Sequence, residues 1–281
     1  MKARFVIVVA LAAGLAAGCT GTTDPGGAPY VEFPLEIGRS WDYVRTFTVE
    51  SSDTLDAVPA DTATAYCTEE IVRLDTLSMR TDAYVLREVG IEDSATSWDL
   101  ESYYRSERDG LYLLAYEPGA TLVNPRPHGR PRFLFKGMTF ASVREITSYV
   151  TGAVEHAGGR PDTLYYEDPP VRTLRYPLRV GASWNFRQPG QPWRIDKEVT
   201  GTREVDVPAG AFDCLVVEWF IDIGDDGQWD DDIEFIDYFA PEGLIRRRLV
   251  FSDMIAVDPE GDTLGVFHSV DDAQLTAYSV D

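Results

Sequence analysis

Residues 33–43 read Phe-Pro-Leu-Glu-Ile-Gly-Arg-Ser-Trp-Asp-Tyr, and residues 176–186 repeat the pattern as Tyr-Pro-Leu-Arg-Val-Gly-Ala-Ser-Trp-Asn-Phe. The Pro, Leu, Gly, Ser and Trp are identical in the two copies. Proline fixes an extended entry, glycine permits a turn, and aromatic residues two positions apart point to one face of a strand. Each copy therefore predicts the start of a β-strand that its tryptophan anchors in the core.

Weaker matches follow both copies in the same order. Residues 83–88 match the pattern of residues 213–218, and Gly110-Leu111 matches Gly243-Leu244. Self-similarity of this kind indicates an internal repeat. We infer two related units joined by a proline-rich connector, with the approximate boundaries 30–116, 172–252 and, for the connector, 117–171.

The strand pattern predicts the fold class. β-branched and aromatic runs such as 215–223 and 233–239 are broken by Gly, Asp and Pro, which is typical of antiparallel strands and turns. No segment after the N-terminus keeps a 3.6-residue apolar period, so helices should be few and short. We predict an all-β protein whose antiparallel meanders form one open barrel or sandwich. Two tandem small β domains are the alternative.

The N-terminus predicts export and lipid attachment. Residues 1–18 have the positive start and apolar run of a signal peptide. The segment Leu15-Ala16-Ala17-Gly18-Cys19 resembles the lipobox of bacterial lipoproteins, although that family usually has Leu where this chain has Ala16. The resemblance implies an acylated Cys19 held in a bilayer, and Thr20 after it implies the outer membrane, on its periplasmic or outer face. An ordinary secretory signal is the alternative.

The composition indicates what kind of chain follows the signal peptide. Residues 19–29 are rich in Gly, Thr and Pro and predict a flexible tether, followed by the β domain at 30–281. Loss of Lys2 and Arg4 with the signal peptide changes the formal net charge from −22 to −24. So acidic a domain disfavours nucleic acid as a partner. Hydrophobic residues make up 44% of the chain, which is enough for a packed core.

Three motifs together resemble a known group of proteins. The Pro-Leu-x-x-Gly-x-x-Trp pattern, Val-Pro-Ala-Gly-Ala-Phe at 207–212 and Tyr-Phe-Ala-Pro-Glu-Gly-Leu-Ile at 238–245 resemble predicted bacterial lipoproteins of unknown function. Those proteins are similar in outline to envelope carriers such as the lipoprotein-localisation factors. The resemblance implies a β-rich scaffold, and the carrier role follows only by analogy of fold.

Two cysteines remain after Cys19. Cys67 and Cys214 both lie in predicted strands of an exported protein, where a disulfide is able to form. The sequence allows either a disulfide between them or two buried free thiols.

An acidic run is the candidate metal site. Residues 222–234 contain seven carboxylates, but the spacing of an EF-hand loop is not met. A looser calcium site remains a hypothesis, with a solvated hairpin turn as the alternative. Its ligands would be Asp222, Asp225, Asp226 and Asp230. The three histidines, at 128, 156 and 268, lack the spacing of a zinc site.

The connector carries a basic run on an otherwise acidic chain. Its cations are Arg126, Arg130, Arg132 and Lys136. Such a segment is suited to an anionic ligand or partner, or to pairing with the protein's own acidic surface.

The sequence contains no nucleophile elbow, metalloprotease helix or phosphate-binding glycine loop, so an enzyme is unsupported. The leading hypothesis is a membrane-anchored, non-enzymatic binding or carrier module for an envelope ligand such as a lipid. The alternatives are an interaction subunit that contacts an envelope protein in an outer-membrane or surface assembly, and a hydrolase with a carboxylate pair.

Overall fold

The structure is a computed structural model, and it describes residues 31–52, 61–77, 81–92, 97–117, 132–141, 143–150, 164–188 and 193–279. Strands account for most of this part of the chain. In chain order they are β1 (Ser40–Ser51), β2 (Asp61–Leu77), β3 (Thr81–Ile91), β4 (Ser97–Glu107), β5 (Gly110–Tyr116), β6 (Arg132–Phe135), β7 (Met138–Phe140), β8 (Tyr165–Arg175), β9 (Ser183–Arg187), β10 (Arg194–Val207), β11 (Gly210–Asp222), β12 (Ile233–Ala240), β13 (Gly243–Val257) and β14 (Thr263–Tyr278). The single described helix, α1, spans Val143–Val150.

The strands form one antiparallel sheet that curls into a nearly closed barrel with one seam. Their order is β8-β5-β4-β3-β2-β1-β14-β13-β12-β11-β10-β9, with the β6–β7 hairpin attached to β13. This confirms the prediction of an all-β antiparallel barrel with few helices. Strands from both predicted units lie in the same sheet.

One joint of the barrel is made by backbone hydrogen bonds. β1 pairs with β14 along its whole length, from Trp41 opposite Tyr278 to Ser51 opposite Phe267. At the other joint, β8 and β9 are the two ends of the strand order and form the seam. Pro169 and Pro170 lie within β8. Because proline has no N–H to donate, such a strand is suited to an edge.

The barrel interior is apolar at its two ends. Alternate residues of each strand point inward. At one end, Ile221, Phe251 and Phe267 pack with α1 and the β6–β7 hairpin. At the other end, Trp184, Leu215 and Phe239 pack with Val31 from the N-terminal segment.

The helix contributes to the first of these ends. Ile146 and Val150 are fully buried, and the indole Nε1 of Trp193 donates a hydrogen bond to the Val150 carbonyl at 3.1 Å. Within the part of the chain that the structure describes, no helix has the length and apolar character needed to cross a membrane.

Candidate functional site

The predicted basic site is only partly within the described residues. Cys19, Arg126 and Arg130 lie outside them, and Arg132 is exposed at the start of β6. Lys136 occupies the β6–β7 turn, where its Nζ is 2.7 Å from carboxylate oxygens of both Asp230 and Asp232. The ammonium group is therefore paired with the protein's own acidic run, which is the alternative that the sequence left open.

The acidic run forms an ordered loop between β11 and β12. Asp222 is buried, and its carboxylate accepts backbone N–H bonds from Asp226 and Gly227 at 3.1 and 2.9 Å. Asp230 accepts a bond from the N–H of Ile223 at 2.7 Å. Asp225 has a left-handed backbone, with φ of 51°.

These contacts bear on the calcium hypothesis. Three of the four proposed ligands, Asp222, Asp226 and Asp230, already accept backbone N–H groups. Among the described residues, no group of three or more His, Cys, Asp or Glu side chains is arranged to hold a metal ion. Calcium binding by Asp222, Asp225, Asp226 and Asp230 stays a prediction, for which calorimetry with calcium is the test.

Of the two states that the sequence allows for Cys67 and Cys214, the structure has the second. Cys67 and Cys214 are both buried free thiols. Cys67 lies on the inner face of β2, opposite Tyr43. Cys214 precedes Leu215, an inward residue of β11, and so points to the opposite face. Side chains on opposite faces of one sheet, with four strands between them, lack the geometry of a disulfide.

The structure instead brings together a set of charged side chains inside the barrel. They come from seven strands and lie on the inner face, and we call them the polar belt. In strand order its members are Glu88 (β3), Glu69 (β2), Arg45 (β1), Asp271 (β14), Arg247 (β13), Asp237 (β12) and Lys197 (β10).

Two bidentate ion pairs form the centre of the polar belt. Arg247 donates from Nε and Nη2 to the two carboxylate oxygens of Asp237, at 2.6 and 3.1 Å. Arg45 contacts both carboxylate oxygens of Asp271, with a distance of 2.7 Å from Nε. Trp219 Nε1 also donates to Asp237, at 3.0 Å. Bidentate arginine–carboxylate contacts fix geometry as well as charge, so these pairs hold the middle of the barrel in place.

Lys197 ends the belt next to the seam. Its side chain is buried, and its Nζ lies 3.4 Å from the ring centre of Trp219 and 4.1 Å from that of Phe186. Desolvation lowers the Lys197 pKa well below its ordinary value, while the nearby Asp237 carboxylate acts in the opposite direction. The Nζ donates to the Thr173 carbonyl at 3.3 Å, across the seam.

Glu69 and Glu88 end the belt on the other side. They lie directly opposite each other on β2 and β3, and such cross-strand neighbours have Cβ atoms about 5 Å apart. Desolvation, followed by the charge of Glu88, raises the pKa of Glu69 to about 7. Glu88 accepts a hydrogen bond from Trp98 Nε1 at 2.6 Å. The indole of Trp98 lies across Gly90, where a Cβ would be 2.0 Å from the ring.

Exposure of the inner face shows where the barrel is hollow. On β10 to β13, the inward residues are mostly buried. On β3 and β4, the inward residues are half-buried, although they face the interior: Tyr84, Leu86, Glu88, Trp98, Leu100, Ser102 and Tyr104. The side chain of Arg247 is 41% exposed, yet desolvation by burial is the largest influence on its pKa. From the exposure of Arg247 and of the inward side chains of β3 and β4, we infer a solvent-accessible hollow on this side of the barrel interior.

The hollow has a mixed lining. Aromatic and aliphatic side chains line it from β3 and β4, and the charged side chains of the polar belt cross the same inner face from β3 round to β10. Two grooves, of about 530 and 320 Å³, lie beside β9 and share Trp184 and Asn185.

Sequence reasoning missed the polar belt, although a signal was present. Several belt residues are single charges at inward positions of an alternating apolar strand. Lys197 lies between Ile195 and Val199, and Asp237 lies between Phe235 and Phe239. A charge at a core-facing position is rarely tolerated without a partner, so such positions indicate an internal polar network.

Neither a protein-family model nor a curated protein matches the chain. Among solved structures, the chain is similar to a protein from Bacteroides fragilis that is described as exported and as having a YmcC-like fold. The two sequences are 12% identical, the TM-score is 0.33, and the match covers 89% of this chain and 100% of that one. It is also similar to a protein described as a lipoprotein from Parabacteroides distasonis, at 14% identity and a TM-score of 0.31, covering 89% and 99%. A β-barrel-like protein of a domain of unknown function from Brucella abortus matches at 10% identity, with a TM-score of 0.31, over 88% and 100%.

Proposed function

We propose that this chain is a non-enzymatic envelope lipoprotein that holds a small ligand in the hollow of its barrel. The supporting observation is that the Arg247 side chain is 41% exposed although it lies on the inner face of the barrel, where it pairs with Asp237. A binding site of this kind is concave, largely apolar and equipped with a few fixed polar groups. The hollow lined by the polar belt and by the apolar side chains of β3 and β4 has these features.

The lining favours a ligand with both apolar and polar parts. Leu86, Leu100 and Tyr104 supply apolar surface on one wall. In the polar belt, the charges of Arg45, Asp271, Arg247 and Asp237 are fixed by ion pairs, so they are oriented before a ligand arrives. A site that binds only acyl chains does not need charged side chains in its lining. An amphipathic molecule fits the hollow better than a plain lipid tail.

The membrane location in this proposal is inferred from the sequence. Acylation of Cys19 would hold the chain at a membrane, and the tether at 19–29 would separate the barrel from the bilayer surface. Thr20 favours the outer membrane. A binding module in this position is suited to capture or transfer of an envelope molecule.

Native mass spectrometry of the full chain, extracted from membranes in a maltoside detergent, tests the proposal. We expect a bound small molecule to accompany the native protein. Ser102→Trp places a large ring in the hollow and should remove that molecule. Ser97→Trp makes the same change on the outer face of the same strand and should retain it. Equal ligand content in the two variants would show that the ligand is held elsewhere.

The two alternatives have weaker support. An interaction subunit would dock through the basic run or an exposed strand edge, and in the basic run Lys136 is paired with Asp230 and Asp232. A hydrolase with a carboxylate pair would need two carboxylates that face each other across a polar cleft. Glu69 and Glu88 instead lie side by side on neighbouring strands.

A further inference from the structure

The charges of the polar belt do not balance. It contains four carboxylates and three basic groups. Arg45 and Arg247 each form a bidentate pair with an aspartate of their own, Asp271 and Asp237. Lys197 is at the far end of the belt, and its pKa is lowered mainly by desolvation. The glutamates at positions 69 and 88 are left without a compensating cation.

The contacts of Glu69 and Glu88 support the conclusion that these two residues lack a counter-charge. Within the described part of the chain, no ion pair joins Glu69 or Glu88 to a basic side chain. Glu69 responds to Arg247 and Arg45 only through space, and the repulsion from Glu88 is a larger influence on its pKa than either arginine. Two like charges in register on neighbouring strands are destabilising unless a counter-charge lies between them.

The wall beside the glutamates is aromatic. Tyr84, Trp98 and Tyr104 face the hollow from β3 and β4 and are half-buried. Trp98 is held against Glu88 by the hydrogen bond from its Nε1. Aromatic faces attract ammonium and guanidinium groups, and the attraction increases when the cation is desolvated.

We propose that the hollow takes an organic cation, whose ammonium or guanidinium group lies between Glu69 and Glu88 and against the rings of Trp98 and Tyr104. This inference rests on the proposed function, because it names the chemical class of the ligand held in the same hollow. The cation supplies the counter-charge that the two glutamates lack, and its apolar part occupies the space lined by Leu86 and Leu100.

An anionic ligand fits the hollow less well. The donor groups of Arg45 and Arg247 that face carboxylates are already engaged in bidentate pairs. To form the same bidentate contact, an anion would have to displace Asp271 or Asp237, and a displaced aspartate would remain in the interior without its partner. It would also approach two further carboxylates. The charge arrangement therefore selects for positive ligands.

Calorimetry with three probes of similar shape tests the inference on the full chain in maltoside detergent. The probes are benzyltrimethylammonium, the uncharged neopentylbenzene and the anion benzenesulfonate. We expect benzyltrimethylammonium to bind at least about tenfold more tightly than either of the others. Ser102→Trp should abolish binding, which places the probe in the hollow.

Glutamine variants locate the cation. Glu69→Gln and Glu88→Gln should each weaken binding of benzyltrimethylammonium by about tenfold or more, because each removes one of the two facing charges. Glu70→Gln is the matched control, since it makes the same change on the exposed outer face of β2 and should leave the affinity unchanged. Thermal unfolding of each variant confirms that the barrel is intact. Equal affinity in all three variants would overturn the inference.

Affinity should also depend on pH. Glu69 has a raised pKa of about 7, so a proton competes with the cation, and binding should weaken from about pH 8 to about pH 6. This dependence should disappear in Glu69→Gln. The groups that influence Glu69 or face it from the packed strands are Tyr43, Arg45, Cys67, Glu88, Tyr104, Asp237 and Arg247.

The outcomes separate the inference from the proposed function. If neopentylbenzene or benzenesulfonate binds as tightly as the cation and Ser102→Trp removes it, the hollow is a binding site and the charge selection is wrong. If none of the probes binds and the native protein carries no molecule that Ser102→Trp removes, both the inference and the proposed function fail.

Discussion

Glu69 and Lys197 occupy matching places in the barrel. Glu69 pairs with Trp41 across the β1–β2 ladder, and Lys197 pairs with Trp184 across the β9–β10 ladder. Trp41 and Trp184 are the tryptophans of the repeated sequence motif. The same strand position therefore carries an acid in one half of the barrel and a base in the other, and both have a pKa shifted toward the neutral form by desolvation. Desolvation therefore disfavours the charged form at both of these matching positions.

Substitution of Lys197 tests whether the barrel interior disfavours a charged side chain at this position. Its lowered pKa means that the folded state disfavours the ammonium form, so stability is reduced below the folded pKa and rises with pH toward the unfolded value near 10.5. Lys197→Met should be at least as stable as the native chain at about pH 7. Its advantage should shrink by up to about 1.4 kcal/mol per pH unit toward about pH 9.

Urea unfolding at several pH values measures this effect. Lys136→Met is the control, because Lys136 is paired with Asp230 and Asp232 and its pKa is raised, so the stability difference from the native chain should stay constant over the same range. An unchanged difference for Lys197→Met as well would contradict the lowered pKa.

The residues of the site show where sequence reasoning reaches its limit. The basic and acidic runs stood out because their charges are adjacent in the sequence, and Lys136 does contact the acidic run. The polar belt is assembled from seven strands, with one residue from each. Such a set depends on register, which the sequence of a single strand does not specify.

At the level of elements, the repeated motif explains how β1 is fixed. Trp41 is buried, and its Nε1 donates to the Glu242 carbonyl at 2.6 Å, in the turn between β12 and β13. The next residue, Gly243, has φ of 129° and allows the indole to approach. Two stretches that the sequence singled out, the tryptophan motif and residues 238–245, are therefore in contact.

Gly243→Ala tests that contact. A Cβ at Gly243 would lie 2.8 Å from Trp41 Nε1, whereas a Cβ at Gly210, with the similar φ of 134°, would have its nearest neighbour at 3.9 Å. Both substitutions strain the backbone, but only Gly243→Ala also displaces the indole. We expect Gly243→Ala to lower the free energy of unfolding by about 1–3 kcal/mol more than Gly210→Ala. If urea unfolding gives the same loss of unfolding free energy for both variants, the Trp41 indole moves away from the new Cβ without a loss of stability.

At the level of the whole molecule, the sequence predicted the fold class and the single sheet system but not the way the barrel closes. Strand and turn patterns are local, so an all-β meander was accessible from the sequence. Pairing of β1 with β14 joins the two ends of the described chain, and no local pattern specifies it. The tandem prolines of β8 do mark an edge strand, and the seam lies there.

Side chains hold the seam where backbone pairing is absent. Arg187 forms an ion pair with Glu167 at 2.7 Å, and both side chains are largely buried. Arg175 donates to the Ser183 carbonyl at 2.6 Å, and Lys197 donates to the Thr173 carbonyl at 3.3 Å. All three contacts connect β8 with β9 or β10. Backbone hydrogen bonds therefore close the barrel between β1 and β14, whereas side-chain contacts close it at the seam.

This difference predicts where the barrel opens first. Amides of β8 and β9 should exchange with deuterium faster than those of β1 and β14, because opening the seam breaks fewer backbone hydrogen bonds. Glu167→Gln removes the buried partner of Arg187 and should accelerate exchange in β8 and β9 alone. Glu50→Gln, which alters an exposed contact with His268 at the β1–β14 joint, should change neither. Equal protection at both joints in the native chain, measured by mass spectrometry, would mean that the side-chain contacts close the barrel as firmly as a ladder does.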